Sequence, residues 1–180
     1  TLMEDFEKKN GSWELYRSTK YTYDALKRMS SYTEWDGEGV APAEPAVSYS
    51  YDTSGNVTAA EYTDTGSELE GLIFEYDSSR RLTKIKAKTG GLMSDTVREY
   101  SYDDQNRVST IRDHYAFTGS GSYLEKSYTY DDFGRVTSMA YNENGNGGTK
   151  EYYEYGYDKN NNITYEHILN GYGSDNTPGN

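Results

Sequence analysis

A ten-residue frame recurs six times in this chain, near residues 21–30, 49–58, 74–83, 100–109, 128–137 and 155–164. Self-similarity at such a period marks a repeat architecture and takes precedence over window-by-window secondary structure. Each frame opens aromatic-x-Tyr-Asp, as in Tyr21-Thr22-Tyr23-Asp24 and Tyr128-Thr129-Tyr130-Asp131, with Phe74 the single departure from an opening tyrosine. The aspartates Asp24, Asp52, Asp77, Asp103, Asp131 and Asp158 stand 28, 25, 26, 28 and 27 residues apart. Two free positions follow each Asp, then Lys27, Gly55, Arg80, Asn106, Gly134 or Asn161. Next come Arg or Asn, a Met or aliphatic residue, and Ser or Thr.

Each part of the frame has a physical meaning. Aromatic-x-aromatic is a period-2 strand pattern that sets both rings on one face. Asp-x-x-Gly/Asn fits a type I turn closed by a left-handed residue, and the following Arg-Val-Thr suits a return strand. Every frame is therefore a β-hairpin. Lys27 and Arg80 occupy the left-handed position at a cost of about 1 kcal/mol, so those two turns are expected to be looser. The far ends of the hairpins meet in Gly-rich bends at Gly37-Glu38-Gly39, Gly66, Gly90-Gly91, Gly119-Ser120-Gly121 and Gly145-Asn146-Gly147-Gly148. Residues Thr1 to Gly11 align without gaps on Thr137 to Gly147, so the chain enters on a return strand, halfway through a hairpin.

The expected fold is all-β: an antiparallel meander of about 13 strands, six hairpins plus a leading strand, coiled into a barrel or tight spiral. It forms a single domain over residues 1–170, with 171–180 a flexible tail. In this register the Tyr before Asp lies opposite the residue after Arg, and the framework aromatics form one buried stripe. Ile85, Ile111 and Met139 fall on the wrong face of this pattern unless a bulge intervenes.

Composition alone would point elsewhere. Leu, Ile, Val and Phe supply only 24 of 180 residues, and the formal net charge is -12, a pairing typical of disorder. Tyrosine resolves the conflict, because 11 of the 21 tyrosines occupy framework positions. With 30 acidic against 18 basic residues and no basic cluster, binding to nucleic acid or to an anionic membrane surface is not expected. No apolar run approaches the roughly 20 residues of a membrane helix, so no membrane insertion is expected. The absence of cysteine excludes disulfides and thiolate chemistry.

The segment Tyr128 to Thr137, Tyr-x-Tyr-Asp-x-x-Gly-Arg-Val-Thr, resembles the YD repeat of the RHS/YD-repeat family, and the likeness runs over residues 1 to about 169. The resemblance implies a ribbon of hairpins, which in large members spirals into a shell around a toxin cargo. In small stand-alone members, of the kind gut Bacteroidetes secrete, it implies a place at the cell surface and carbohydrate as a candidate ligand. No Arg-Tyr-Asp-Pro-type core segment, which closes the large shells, occurs in this chain.

Function is then expected from residues that the frame does not use. The leading expectation is a non-enzymatic, secreted, periplasmic or surface module for binding or scaffolding, with a glycan or a cell-surface protein as partner. The alternative is a structural segment of a larger RHS/YD-repeat shell or stalk, and a glycan-active enzyme ranks third. The two histidines, His114 and His167, sit in no nucleophile or metal motif. The acidic turns lack the Asp-x-Asp-x-Asp-Gly ligands of a calcium loop, so no metal or cofactor is expected. The most site-like stretch is Tyr32, Glu34, Trp35 and Asp36, where aromatic rings and carboxylates suit a sugar's C–H face and hydroxyls. A structural role for Trp35, capping the end of the barrel, is the competing reading and the favoured one.

Overall fold

In the computed structural model of the chain, residues 1–37, 39–63, 68–90, 92–114, 123–143 and 149–170 are described, without the side chains of 92–95, 149–150 and 170. Thirteen strands run in chain order: β1 (Leu2–Lys9), β2 (Ser12–Tyr23), β3 (Met29–Asp36), β4 (Val47–Tyr51), β5 (Val57–Tyr62), β6 (Leu69–Tyr76), β7 (Leu82–Thr89), β8 (Leu92–Tyr102), β9 (Val108–His114), β10 (Tyr123–Tyr130), β11 (Val136–Glu143), β12 (Thr149–Tyr157) and β13 (Ile163–Asn170). Spatial order equals sequence order, so the sheet is one antiparallel meander with β1 and β13 as its edges, and it does not close into a barrel. The chain divides into two compact units, Thr1–Glu75 with Lys86–Asp95, and Tyr76–Ile85 with Thr96–Asn180. The expected bends at Gly66, Gly91, Gly119 to Gly121 and Gly145 to Gly148, and the tail 171–180, lie outside the described residues.

The frame turns form as the sequence requires. In all six, the N–H of the residue three after Asp donates to the Asp carbonyl, and the Asp N–H donates to the carbonyl four residues on. The closing residue is left-handed every time, including Lys27 at φ 61° and Arg80 at φ 64°. These two turns are no looser than the others. Their hydrogen bonds match those of the Gly55 and Gly134 turns, so the bonding carries the backbone cost.

Register explains two of the three misplaced apolar residues, Ile111 and Met139. Tyr23 pairs with Met29, Tyr51 with Val57, Tyr102 with Val108, Tyr130 with Val136 and Tyr157 with Ile163, as the frame predicts. One residue later each return strand skips a position, so that Ser101 faces Thr110 and Thr129 faces Ser138. The skipped residues are the frame Ser or Thr: Ser30, Thr58, Ser109, Thr137 and Thr164. A bulge of this kind inserts one residue and restores the alternation beyond it. Ile111 thereby stands opposite Tyr100, and Met139 opposite Tyr128, both on the tyrosine face. Hydroxyls fill the bulge: Thr129 Oγ1 lies 2.8 Å from Thr137 Oγ1 and 2.6 Å from Ser138 Oγ. Thr22 makes the same pair of contacts with Ser30 and Ser31, at 2.8 and 2.6 Å.

The leading strand behaves as a return strand. Leu2 pairs with Lys20 and Met3 with Thr19, as Ser138 pairs with Glu154 and Met139 with Tyr153. In both cases the partners are the residues four and five before the frame Asp.

Burial departs from the expected tyrosine core. Among the described residues the buried apolar side chains are Ala60 and Ala87, joined by Ser18, Thr19, Thr33 and Ser138. The framework aromatics are half-buried, and Tyr23 is 52% exposed. A single sheet layer has no opposing layer to cover a large ring, so the rings lie over small neighbours and bury those instead. Ala60, for example, stands between Tyr49 and Leu72.

Close approach also selects glycine. A Cβ on Gly71, paired with Glu61 across β5 and β6, would sit 2.4 Å from the Ala60 carbonyl oxygen. Gly71→Ala should therefore cost about 1–3 kcal/mol in urea unfolding, since backbone rather than a mobile side chain must yield. Lys27→Gly should instead gain up to about 1 kcal/mol by relieving the left-handed position. A neutral Gly71→Ala would show that the strands separate freely at this point.

Candidate functional site

The frame aspartate organises its own turn. Asp103 Oδ1 accepts from the N–H groups of Gln105 and Arg107, both at 2.9 Å, while Oδ2 accepts from Arg107 Nε at 2.6 Å. Asp24, Asp77 and Asp131 do the same with Arg28, Arg81 and Arg135, each at 2.7 Å. Asp52 and Asp158 hold the amides of Asn56 and Asn162 at 2.8 and 2.9 Å.

That arrangement holds the carboxyl of every frame aspartate below its ordinary range. At Asp24 and Asp77 the largest cause is the backbone N–H of Arg28 or Arg81, and at Asp52 and Asp158 it is the Asn56 or Asn162 side chain. At Asp103 and Asp131 desolvation is the largest influence and pushes the carboxyl up. The turn N–H groups and the guanidinium of Arg107 or Arg135 together outweigh it.

The arginine then reaches into the next frame. Arg28 lies over the Tyr51 ring at 4.3 Å, Arg81 over Tyr102 at 4.5 Å, Arg107 over Tyr130 at 4.4 Å and Arg135 over Tyr157 at 4.6 Å. Nη1 of Arg28, Arg107 and Arg135 also donates to the carbonyl of the next frame aspartate, at 3.3, 3.1 and 3.1 Å. The tyrosine returns the contact. Tyr51, Tyr102, Tyr130 and Tyr157 donate their hydroxyls at 2.6–2.8 Å to the carbonyls of Met29, Leu82, Val108 and Val136 in the preceding frame. The half-buried phenols are thus satisfied by backbone, with the guanidinium on the ring face. The frame itself carried a signal for this link, namely an Arg 21 to 23 residues before a framework Tyr, but hairpin-by-hairpin reading does not look across repeats.

The four residues singled out from sequence divide between two faces. Tyr32 pairs with Tyr21, and Glu34 with Thr19, on the tyrosine face. Tyr32 donates to Glu34 Oε2 at 2.9 Å, and Arg17 Nη1 lies 3.6 Å from Glu34 Oε1. Glu34 raises the Tyr32 phenol pKa, with burial adding to the effect. Asp36 pairs with Arg17 on this face. Trp35 pairs with the buried Ser18 on the opposite face, half-buried and 3.7 Å from the position a Cβ on Gly39 would take. Tyr32 and Glu34 are in contact and share a face with Asp36; Trp35 lies on the other face.

Elsewhere ion pairs cross the strands. Glu99 takes Lys84 at 2.8 Å and His114 Nε2 at 3.3 Å, Arg112 meets Glu125 at 2.6 Å, and Arg98 meets Asp113. His167 Nδ1 lies 4.0 Å from Glu154. Each histidine thus neighbours a carboxylate. Among the described residues no three His, Cys, Asp or Glu side chains converge as a metal would require. One open groove of about 540 Å³ lies on the first hairpin, lined by Glu4, Phe6, Trp13, Glu14 and Leu15.

Solved structures share this fold. The crystal structure of TcdB2-TccC3-Cdc42 matches with a TM-score of 0.64 and 16% identity, over 95% of this chain and 9% of that one. The TcdB2-TccC3 crystal structure matches with a TM-score of 0.65 and 17% identity, over 95% of this chain and 10% of that one. A Photorhabdus luminescens Tc holotoxin pore carrying a TccC3 mutation matches at 0.63 and 16%, over 95% and 9%. At these identities the likeness shows the fold, which is RHS/YD-repeat-like, and the chain spans about a tenth of the length of the chains it matches. No protein-family profile matches the chain, and no curated protein matches it.

Two outcomes follow from the frame chemistry. Tyr130→Phe removes a hydroxyl bond to the Val108 carbonyl and should cost about 1 kcal/mol, whereas Tyr128→Phe should cost less; urea titration of both separates the link from general packing. Because the frame carboxyls titrate below their unfolded value near 3.9, their stabilisation is complete above about pH 4 and is lost as pH falls through the depressed folded values. Near-UV circular dichroism should therefore show an acid transition below about pH 4, shallower in the Asp103→Asn, Asp131→Asn double variant; an unchanged slope would exclude these groups as its source.

Proposed function

We propose that this chain is a non-enzymatic scaffold module, a run of YD-repeat hairpins built to be continued by further strands of the same kind. The observation that carries the reading is Tyr23. Directly before the frame Asp, Tyr51, Tyr102, Tyr130 and Tyr157 each receive an arginine on the ring and donate to a carbonyl of the preceding frame, whereas Tyr23 is 52% exposed and makes neither contact among the described residues. In the register of the sixth frame its partners would be the two positions immediately before Thr1, equivalent to Arg135 and Val136. Tyr21 N–H donates to the Thr1 carbonyl and the Thr1 amine donates to the Tyr21 carbonyl, so pairing is already in register at this edge. In the sixth frame Tyr157 donates to Val136, the residue just before Thr137, and Thr137 aligns with Thr1.

The RHS/YD-repeat-like fold supports the same role, as does the energetics of repeat arrays, where stability is a sum of units and nearest-neighbour interfaces. A place in a larger shell or stalk is the narrower form of this reading. Glycan recognition is a weaker form, because the residues expected to carry it do not share one face.

Fusing a copy of residues 123–136 in front of Thr1 supplies a preceding strand, its turn, an arginine and a carbonyl in the register that Tyr157 uses. The extended protein should melt several degrees higher, since one hydroxyl bond and one cation–π contact contribute about 1–2 kcal/mol together. Tyr23→Phe should erase part of that gain in the extended chain and cost little in the original. Equal effects of Tyr23→Phe in both chains would sink the proposal.

A further inference from the structure

Four tyrosines outside the arginine links are arranged in a second way. Tyr21 and Tyr32 stand directly opposite each other on β2 and β3, with ring centroids 6.1 Å apart. Tyr141 and Tyr153, on β11 and β12, repeat the spacing at 6.1 Å. In each pair one hydroxyl donates to a carboxylate two residues away on its own strand, Tyr32 to Glu34 Oε2 at 2.9 Å and Tyr153 to Glu151 Oε2 at 2.8 Å. A phenol that loses an electron also loses its proton, and a carboxylate in hydrogen-bond contact is placed to receive it. The tyrosines directly before the frame aspartates are built the opposite way. Tyr51, Tyr102, Tyr130 and Tyr157 donate to backbone carbonyls, which are far weaker bases, and each carries a guanidinium whose charge opposes removal of an electron from the ring. Around the two pairs cations stand less directly: Arg17 Nη1 lies 3.6 Å from the other Glu34 oxygen, and Lys126 Nζ lies 5.7 Å from the Tyr141 ring, against 4.3–4.6 Å in the arginine links.

We propose that the pairs Tyr21 with Tyr32 and Tyr141 with Tyr153 are sites of oxidative cross-linking, each closing to a dityrosine bond when the chain meets a haem peroxidase supplied with hydrogen peroxide. The oxidant takes one electron from Tyr32 while the phenolic proton passes to Glu34, leaving a tyrosyl radical and a neutral carboxyl; Tyr153 and Glu151 do the same. A second electron leaves the facing phenol, Tyr21 or Tyr141, whose proton goes to water. The two radicals join through ring carbons ortho to the oxygens, and the hydrogens on those carbons move to the oxygens and restore both phenols. Two phenols thus give up two electrons and two protons, and one peroxide becomes two waters. All four rings are half-buried and keep room to swing into contact. Proximity decides the product, because in dilute protein the facing ring is present at an effective concentration that a second molecule cannot match. A chain with no cysteine thereby gains a covalent strap between neighbouring strands, of the kind a disulfide provides elsewhere.

Dilute protein treated with a haem peroxidase and hydrogen peroxide should yield a fluorescent monomer lighter by two hydrogens per link. Peptide mass spectrometry should place the links at Tyr21 with Tyr32 and at Tyr141 with Tyr153. Tyr21→Phe and Tyr141→Phe should each abolish one link and leave the other. Glu34→Gln and Glu151→Gln keep the facing rings but remove the proton acceptor, and each should slow its own link about tenfold or more. Thermal melting of all four variants checks that the sheet stays folded. Links placed chiefly at Tyr51, Tyr102, Tyr130 or Tyr157, products that are intermolecular only, or unchanged rates in both glutamine variants would overturn the proposal. The test leaves the scaffold reading untouched, since it concerns neither Tyr23 nor the extension before Thr1.

Discussion

The structure depends on a carboxylate that does two things at once. Each frame aspartate gathers the N–H groups of its own turn on one oxygen and fixes an arginine or asparagine with the other. Where the partner is arginine, the guanidinium is held flat and aimed at the ring of the next frame. A local turn bond thereby becomes a connection between repeats. The tyrosine completes the circuit by donating back to the preceding frame, so each link contains a charge-assisted bond, a ring contact and a hydroxyl bond. The ring contact and the hydroxyl bond are modest alone, at about 0.5–2 kcal/mol each. Repetition makes them sufficient, because the same link recurs at the four frames whose partner is arginine.

This mode of linkage accounts for a fold with few aliphatic residues. A second layer would bury large side chains completely, and leucine or isoleucine would serve. One layer cannot, and tyrosine suits the half-buried condition: its ring covers Ala, Ser or Thr on neighbouring strands while its hydroxyl reaches a carbonyl. The fully buried positions are small for the same reason, as at Ala60, Ala87 and Ser138. Bulges at the frame Ser and Thr complete the pattern. They return Ile111 and Met139 to the tyrosine face and leave a hydroxyl cluster where the alternation breaks.

Interior frames satisfy one another, whereas Tyr23 is 52% exposed. The carboxylate and aromatic cluster of Tyr32, Glu34 and Asp36 is tied to Arg17 and lacks the tryptophan expected beside it, which packs over Ser18 instead.

The sequence by itself determined the hairpins, their number and their order, because each frame encodes a turn within ten residues through Asp, a left-handed position and a period-2 aromatic pair. It also determined that the leading segment is a return strand, since Thr1 to Gly11 repeats Thr137 to Gly147. Only the tertiary structure decided what happens between frames. The stacking of Arg28 on Tyr51, the destination of each tyrosine hydroxyl and the shallow burial of the rings depend on neighbouring strands lying side by side. The bulge belongs to both levels: its Ser or Thr was visible, but its effect on facing appears only when two strands are paired. The separation of Trp35 from Tyr32, Glu34 and Asp36 follows from the same alternation, since residues one apart on a strand point to opposite faces. Turn chemistry acts within a few residues and is legible in order; packing and edge exposure arise from pairing across more than twenty, and need the fold.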